Sequence, residues 1–129
     1  MTELAVSATR SWLFTPGTRP DRFAKASAVG ADVAIIDLED SVAPNEKESA
    51  REVTLGYLAS PRSALARIAL RINGLDKAAG VADVNALLHV RTWPDFLVLP
   101  KTETEKVQRH KIAHMGAAVI DLKVDGRTP

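Results

Sequence analysis

Four short runs of almost unbroken apolar residues, each closed by a turn or a helix start, constrain this chain more than any other feature. They are Ser11-Trp12-Leu13-Phe14-Thr15, Asp32 to Asp37 around Val33-Ala34-Ile35-Ile36, Ile68-Ala69-Leu70-Arg71-Ile72, and Asp95-Phe96-Leu97-Val98-Leu99. A strand with one wet face alternates apolar and polar residues, whereas continuous runs of this length are expected where both faces are covered. Helical punctuation falls between the runs. Pro20 suits a first helical position and Gly30 the residue past a helix end, with Phe23, Ala26 and Gly30 at helical spacing. Pro44 opens a second helix that Ser60-Pro61 ends. Ala50, Val53, Tyr57 and Leu58 form its inner face, while Glu46, Lys47, Glu48, Arg51 and Glu52 supply a mostly solvated one. Val84, Leu87, Leu88 and Arg91 give a third helix its stripe, and Thr102 with Glu105 makes a capping box for a fourth. A fifth strand is expected within 117–124.

Strand and helix alternate without interruption, which predicts parallel strands joined by right-handed crossover helices. An open doubly wound sheet and part of a (β/α)8 barrel both satisfy that pattern. A complete barrel takes ~250 residues, so a chain of 129 residues would supply about the first four to five βα units. The expected organisation is a flexible lead-in over 1–9, an α/β unit over 10–108 and a divergent tail over 109–129.

Composition narrows the function mainly by exclusion. Lys and Arg number 17 against 16 Asp and Glu, for a formal net charge of +1, so no basic excess argues for nucleic-acid binding. The absence of cysteine excludes disulfides and thiolate zinc sites. No apolar run approaches membrane-spanning length and no signal-peptide core precedes Arg10, which makes a cytoplasmic protein without membrane contact the default expectation.

In α/β folds, functional residues gather at the C-terminal ends of the strands. Here those ends carry Thr15-Pro16-Gly17, Asp37-Leu38-Glu39-Asp40, Arg71-Ile72-Asn73-Gly74 and Pro100-Lys101. Three carboxylates within four residues repel one another, so a fold keeps them beside a counter-charge, a metal or a solvated surface. Carboxylates at this place could orient the waters of a divalent cation, and Arg71 could fork onto a substrate carboxylate. Arg19, Arg22 and Lys25 lie beside a Pro-Gly turn and a helix start, where a phosphate-bearing ligand would find positive charge. Exposed basic residues on a helix are also simply solvated, and no glycine-rich phosphate loop is present. His110 and His114 lack the Glu of an HExxH zinc motif.

The segments Arg10 to Gly17, Asp37 to Pro44, Leu70 to Leu75 and Leu99-Pro100-Lys101 occur in an order and spacing that resemble the N-terminal half of the citrate lyase beta subunit-like enzymes. That group belongs to the HpcH/HpaI aldolase superfamily and includes the malyl-CoA lyases. The resemblance runs from about Arg10 to Val107 and implies a TIM barrel. The implied activity is reversible, magnesium-dependent carbon–carbon cleavage of a 3-hydroxyacyl-CoA or citryl-type thioester, releasing an acetyl-type thioester and a 2-oxo acid. It implies that Arg71 clamps the oxo acid and stabilises negative charge, and that Asp37, Glu39 and Asp40 line the metal pocket through water and hydrogen bonds. It also implies that Arg22, Phe23 and Lys25 contact coenzyme A and that Lys101 supports the pocket; the open sheet edges of a half-barrel favour self-association, so a homo-oligomer is expected. In the family the direct magnesium ligands are a Glu after the fifth strand and an Asp after the sixth. The tail beyond Val107 lacks the Ile-Glu-Thr-type pattern, so no direct metal ligand is assignable and a truncated lyase is expected. A non-catalytic partial barrel, or a binding partner lacking the metal site, is the alternative; a half-barrel would expose an uncovered inner face.

Overall fold

Each strand lies beside the one that precedes it in the sequence. The computed structural model describes residues 10–60, 67–100 and 118–121. It contains β1 (Trp12–Pro16), α1 (Phe23–Ala28), β2 (Val33–Asp37), α2 (Lys47–Ala59), β3 (Arg67–Arg71), α3 (Ala78–Leu87), β4 (Phe96–Leu99) and β5 (Ala118–Asp121). Single 3-10 turns at Pro20–Arg22 and Pro44–Glu46 lead into α1 and α2. All neighbouring strands pair in parallel, in the order β1-β2-β3-β4-β5. A doubly wound sheet must reverse direction at a switch point. The unreversed order removes that architecture and leaves an arc of a TIM barrel.

The two faces of the arc have different partners. Ala34, Ile36, Leu38, Ile68, Leu70, Ile72, Leu97 and Leu99 pack under Phe23, Ala26, Ala50, Leu58 and Leu87 of the helices. Val33, Ile35, Ala69, Phe96 and Val98 form a second cluster on the concave face, joined by Trp12. Trp12 on β1 stands 5.5 Å, centroid to centroid, from Phe96 on β4. Those strands are three steps apart, which in a flat sheet is roughly 14 Å, so the sheet is strongly curled. Curling corrects the expectation of an uncovered inner face in part: Val33, Ile35, Ala69, Phe96 and Val98 are buried, while Phe14 of β1, on the same face, is 46% exposed.

Local chemistry explains where elements stop. Gly30, past the end of α1, has φ of 94°, a left-handed conformation that glycine adopts without a Cβ clash. Gly80 lets α3 press against the loop after β3, because a Cβ there would overlap the Gly74 carbonyl oxygen. Helix faces required two corrections. The buried stripe of α2 is Ala50, Thr54 and Leu58, and Val53 is 41% exposed. In α3 it is Gly80, Asp83 and Leu87, while Leu88 caps the helix at 57% exposure and Arg91 lies beyond it. A buried Thr or Asp looks polar in a sequence and shifts the apparent stripe onto its neighbours. The expected lead-in at 1–9 and the capping box at Thr102 and Glu105 lie outside the described residues, as do His110 and His114.

Candidate functional site

The ends of β2 and β3 bring two side chains together by register alone. Asp37 and Arg71 are paired residues of adjacent parallel strands, both on the concave face of the sheet. Arg71 Nε and Nη2 donate to Asp37 Oδ1 and Oδ2 at 2.8 Å each, the bidentate fork that guanidinium and carboxylate planes favour. The loop completes the hold on Asp37. The Glu39 N–H donates to Oδ1 at 2.8 Å, and the Ser41 N–H and hydroxyl donate to Oδ2 at 3.0 and 2.7 Å. Burial by itself would raise the Asp37 pKa, but the hydrogen bonds from Arg71, Ser41 and the loop backbone outweigh it and hold the group at about 2. The same pair raises the Arg71 pKa against the opposing effect of burial.

Arg71 retains capacity for a ligand. Asp37 occupies the Nε/Nη2 edge; Nη1, and with it the second hydrogen of Nη2, has no hydrogen-bond partner among the described residues. The guanidinium carbon stands 5.0 Å from the centroid of the Phe14 ring, so an aromatic face supports the cation. Glu39 Oε1 is 3.8 Å from Arg71 Nε. Burial, then the hydrogen bond and negative charge of Asp40, push the Glu39 pKa up to about 7, with Arg71 pulling the other way and Asp37 adding repulsion. The acidic loop therefore holds one fully neutralised carboxylate, Asp37, and one that its surroundings leave short of positive charge, Glu39.

A cavity of about 410 Å³ opens between the loops that follow β2 and β3, with Glu39 in its wall and Asp37 and Arg71 outside its lining. Glu39, Asp40, Lys47, Asn73, Gly74 and Lys77 contribute to its wall, with Pro100 at the end of β4. Lys47 was expected on the solvated face of α2. Instead its Nζ donates to the Leu38 and Glu39 carbonyls at 3.1 and 2.9 Å and ties the acidic loop to the helix. Arg51, also expected in solvent, donates from Nε to Asp83 at 2.7 Å. Asp83 in turn accepts from the Asn73 N–H and Nδ2 at 2.9 and 2.7 Å. Only burial identifies Lys47, Arg51 and Asp83 as parts of the site's frame, and no local motif signals it.

Magnesium takes oxygen donors and keeps several waters. Glu39 and Asp40 offer such oxygens at the cavity wall, and the charge deficit at Glu39 suits a cation. The oxygens of Asp37 are committed to other donors, and no group of three or more candidate ligands occurs among the described residues. The residues present fit one edge of a hydrated magnesium site and supply no complete coordination sphere.

The basic segment divides. Arg22 and Lys25 are exposed, and Arg19 is paired with Asp21 at 2.9 Å. Phe23 is 1% exposed and packs edge-on against Tyr57 with centroids 5.1 Å apart. A ring at that depth offers packing and not ligand surface, so Phe23 anchors the turn that carries Arg22 and Lys25. Lys101 lies outside the described residues. No helix among the described residues is long and apolar enough to cross a membrane.

Comparison with known proteins gives concordant matches. The profile of the family described as HpcH/HpaI aldolase/citrate lyase matches residues 10–117. The citrate lyase subunit beta of Escherichia coli strain K12 is 39% identical over 95 residues, covering 74% of this chain and 31% of that protein. The L-malyl-CoA/beta-methylmalyl-CoA lyase of Cereibacter sphaeroides is 43% identical over 93 residues, covering 71% of this chain and 29% of that protein. A crystal structure of protein CitE from Mycobacterium tuberculosis, in complex with magnesium, acetoacetate and coenzyme A, superposes with a TM-score of 0.71 at 37% identity. That superposition covers 88% of this chain and 39% of the other. The chain spans about a third of the length of the curated relatives it matches.

Proposed function

The chain belongs to the HpcH/HpaI aldolase/citrate lyase family, and from that premise we propose that it carries one part of a magnesium-dependent carbon–carbon lyase site. The substrate class is a 3-hydroxyacyl-CoA or citryl-type thioester, and the products are an acetyl-type thioester and a 2-oxo acid. One observation carries the reading: Arg71, fixed by Asp37 along one edge, stands 3.8 Å from Glu39, which lines the cavity together with Asp40.

Within that reading each residue is assigned a role. The Arg71 fork binds the oxo-acid carboxylate and balances negative charge near the reacting carbons. Asp37 is a positioning residue that sets the plane of the guanidinium. Glu39 and Asp40 hold waters of a bound magnesium ion, which when present polarises the oxo-acid carbonyl as a Lewis acid. Lys47 keeps the acidic loop in place. Arg22 and Lys25 attract the anionic end of coenzyme A, and Lys101 supports the pocket wall. A cytoplasmic, homo-oligomeric protein belongs to the same proposal.

A second reading is favoured by one specific observation, the lack of a three-ligand metal cluster among the described residues. It is a non-catalytic partial barrel that serves as a binding or assembly partner. An assay of malyl-, methylmalyl- and citryl-thioester cleavage, with magnesium and with a chelator, separates the two. Magnesium-dependent release of oxo acid is the result expected of the lyase. Inactivity of the chain across that panel supports the binding partner.

A further inference from the structure

Asp83 is 1% exposed and draws three donors from two neighbouring elements: Arg51 Nε of α2, and the backbone N–H and Nδ2 of Asn73 in the loop after β3. The close approach of α3 at Gly80, one turn earlier, brings Asp83 to that loop. Arg51 supplies the counter-charge, so the carboxylate is not a bare buried anion.

A carboxylate paired with a guanidinium accepts hydrogen bonds and donates none. The Asn73 amide therefore has one satisfactory orientation, with Nδ2 toward Asp83 and Oδ1 on the opposite arm. Asn73 lines the cavity. Its Oδ1 has no hydrogen-bond partner among the described residues, yet the buried side-chain atoms left unpaired there are Ser27 Oγ and Thr54 Oγ1. Asn73 is 3% exposed, and Oδ1 is the side-chain atom left to take that narrow opening at the cavity wall.

We propose that Asp83 is a positioning residue that locks Asn73 so that the cavity wall presents a hydrogen-bond acceptor and not a donor, selecting ligands with a hydroxyl or amide N–H at that point. The lock rests on geometry alone, and its role in selection rests on the reading of this cavity as the substrate site. Turning the amide over would set Nδ2 into the cavity and Oδ1 against the Asp83 carboxylate, an acceptor facing an acceptor. In Asp83→Asn the amide oxygen that stays on Arg51 leaves Nδ2 toward Asn73, where the turned-over Asn73 side chain, with Oδ1 facing it, becomes the satisfied orientation.

The test uses the 15N-labelled chain and the exposed Asn45 and Asn85 as internal standards. Hydrogen exchange of the Asn73 side-chain amide at least tenfold slower than both standards is expected, falling to their rate in Asp83→Asn. The selection is read with magnesium and either L-malate or succinate, which differ by one hydroxyl. Malate is expected to bind about tenfold more tightly to the wild type, with that preference lost in Asp83→Asn. Exchange at the rate of the standards in the wild type overturns the proposal, and that comparison needs no variant should Asp83→Asn fail to fold. A malate preference that survives Asp83→Asn overturns it equally. Failure of both diacids to bind, with Asn73 protected, contradicts the substrate-site reading while leaving the lock established.

Discussion

Arg71 and Asp37 face each other as register partners on adjacent parallel strands and share two 2.8 Å hydrogen bonds, with the Arg71 and Asp37 side chains 13% and 2% exposed. A pair this deep is held by direct geometry and not by solvent-screened attraction. Removing one member strands the other, and the loss exceeds what the pair contributes relative to apolar residues. Arg71→Ala should destabilise the chain by about 3 kcal/mol in urea unfolding, with Arg71→Lys intermediate because an ammonium cannot reproduce the fork. A loss below ~1 kcal/mol for Arg71→Ala would show the pair to be mobile.

Acid should release the same pair. The Asp37 pKa is depressed from 3.8 to about 2, so the unfolded chain binds a proton before the folded one does as pH falls. The resulting stabilisation, roughly 2 kcal/mol, is fully present above pH ~4 and is lost as pH falls from about 4 to about 2. Urea midpoints measured across that window should fall steeply in the wild type. In Asp37→Asn they should be lower at neutral pH and flatter.

Glu39 carries the opposite sign. Its pKa is raised from 4.5 to about 7, so the folded chain holds a proton that the unfolded chain has lost, and stability declines as pH rises between those values. With its partial exposure allowed for, the decline should be at most about 2 kcal/mol. Glu39→Gln should remove that slope and make the variant more stable than wild type at pH 8 in the absence of metal. Equal stability at pH 5 and pH 8 in the wild type would contradict the burial and Asp40 repulsion described for this group.

The acidic strand end, Arg71 and the strand–helix alternation were legible because each is local: a short apolar run, then a polar residue at its C-terminal end. Strand order was not legible in the apolar runs, which announce buried parallel strands without saying which lie side by side; it came from the resemblance, whose barrel the order β1-β2-β3-β4-β5 bears out. Asp83, Arg51 and Lys47 were hidden for a different reason. A charged residue on an amphipathic helix ordinarily points to solvent, and only tertiary contacts between α2, α3 and the loops turn these three inward. Val53 and Leu88 are the reverse error, apolar residues left exposed because Thr54 and Asp83 occupy the buried stripe.

Thr54 offers a check on that packing that is independent of the site. It is fully buried in α2, and its hydroxyl has no hydrogen-bond partner among the described residues. Thr54→Val keeps the shape and removes an unsatisfied polar group, so it should stabilise the chain by about 1 kcal/mol. Destabilisation of similar size in thermal or urea unfolding would mean that the hydroxyl is bonded in solution.

The clamp role of Arg71 is tested most directly by calorimetric titration of oxaloacetate, with magnesium, into the wild type and into Arg71→Lys. The two proteins carry the same charge, and circular dichroism establishes that both are folded. Loss of the donor fork should weaken binding by about 2 kcal/mol, roughly thirtyfold, through the missing bidentate contact. Binding that is equally tight in the two proteins would contradict the assignment of the free Arg71 fork as the oxo-acid clamp.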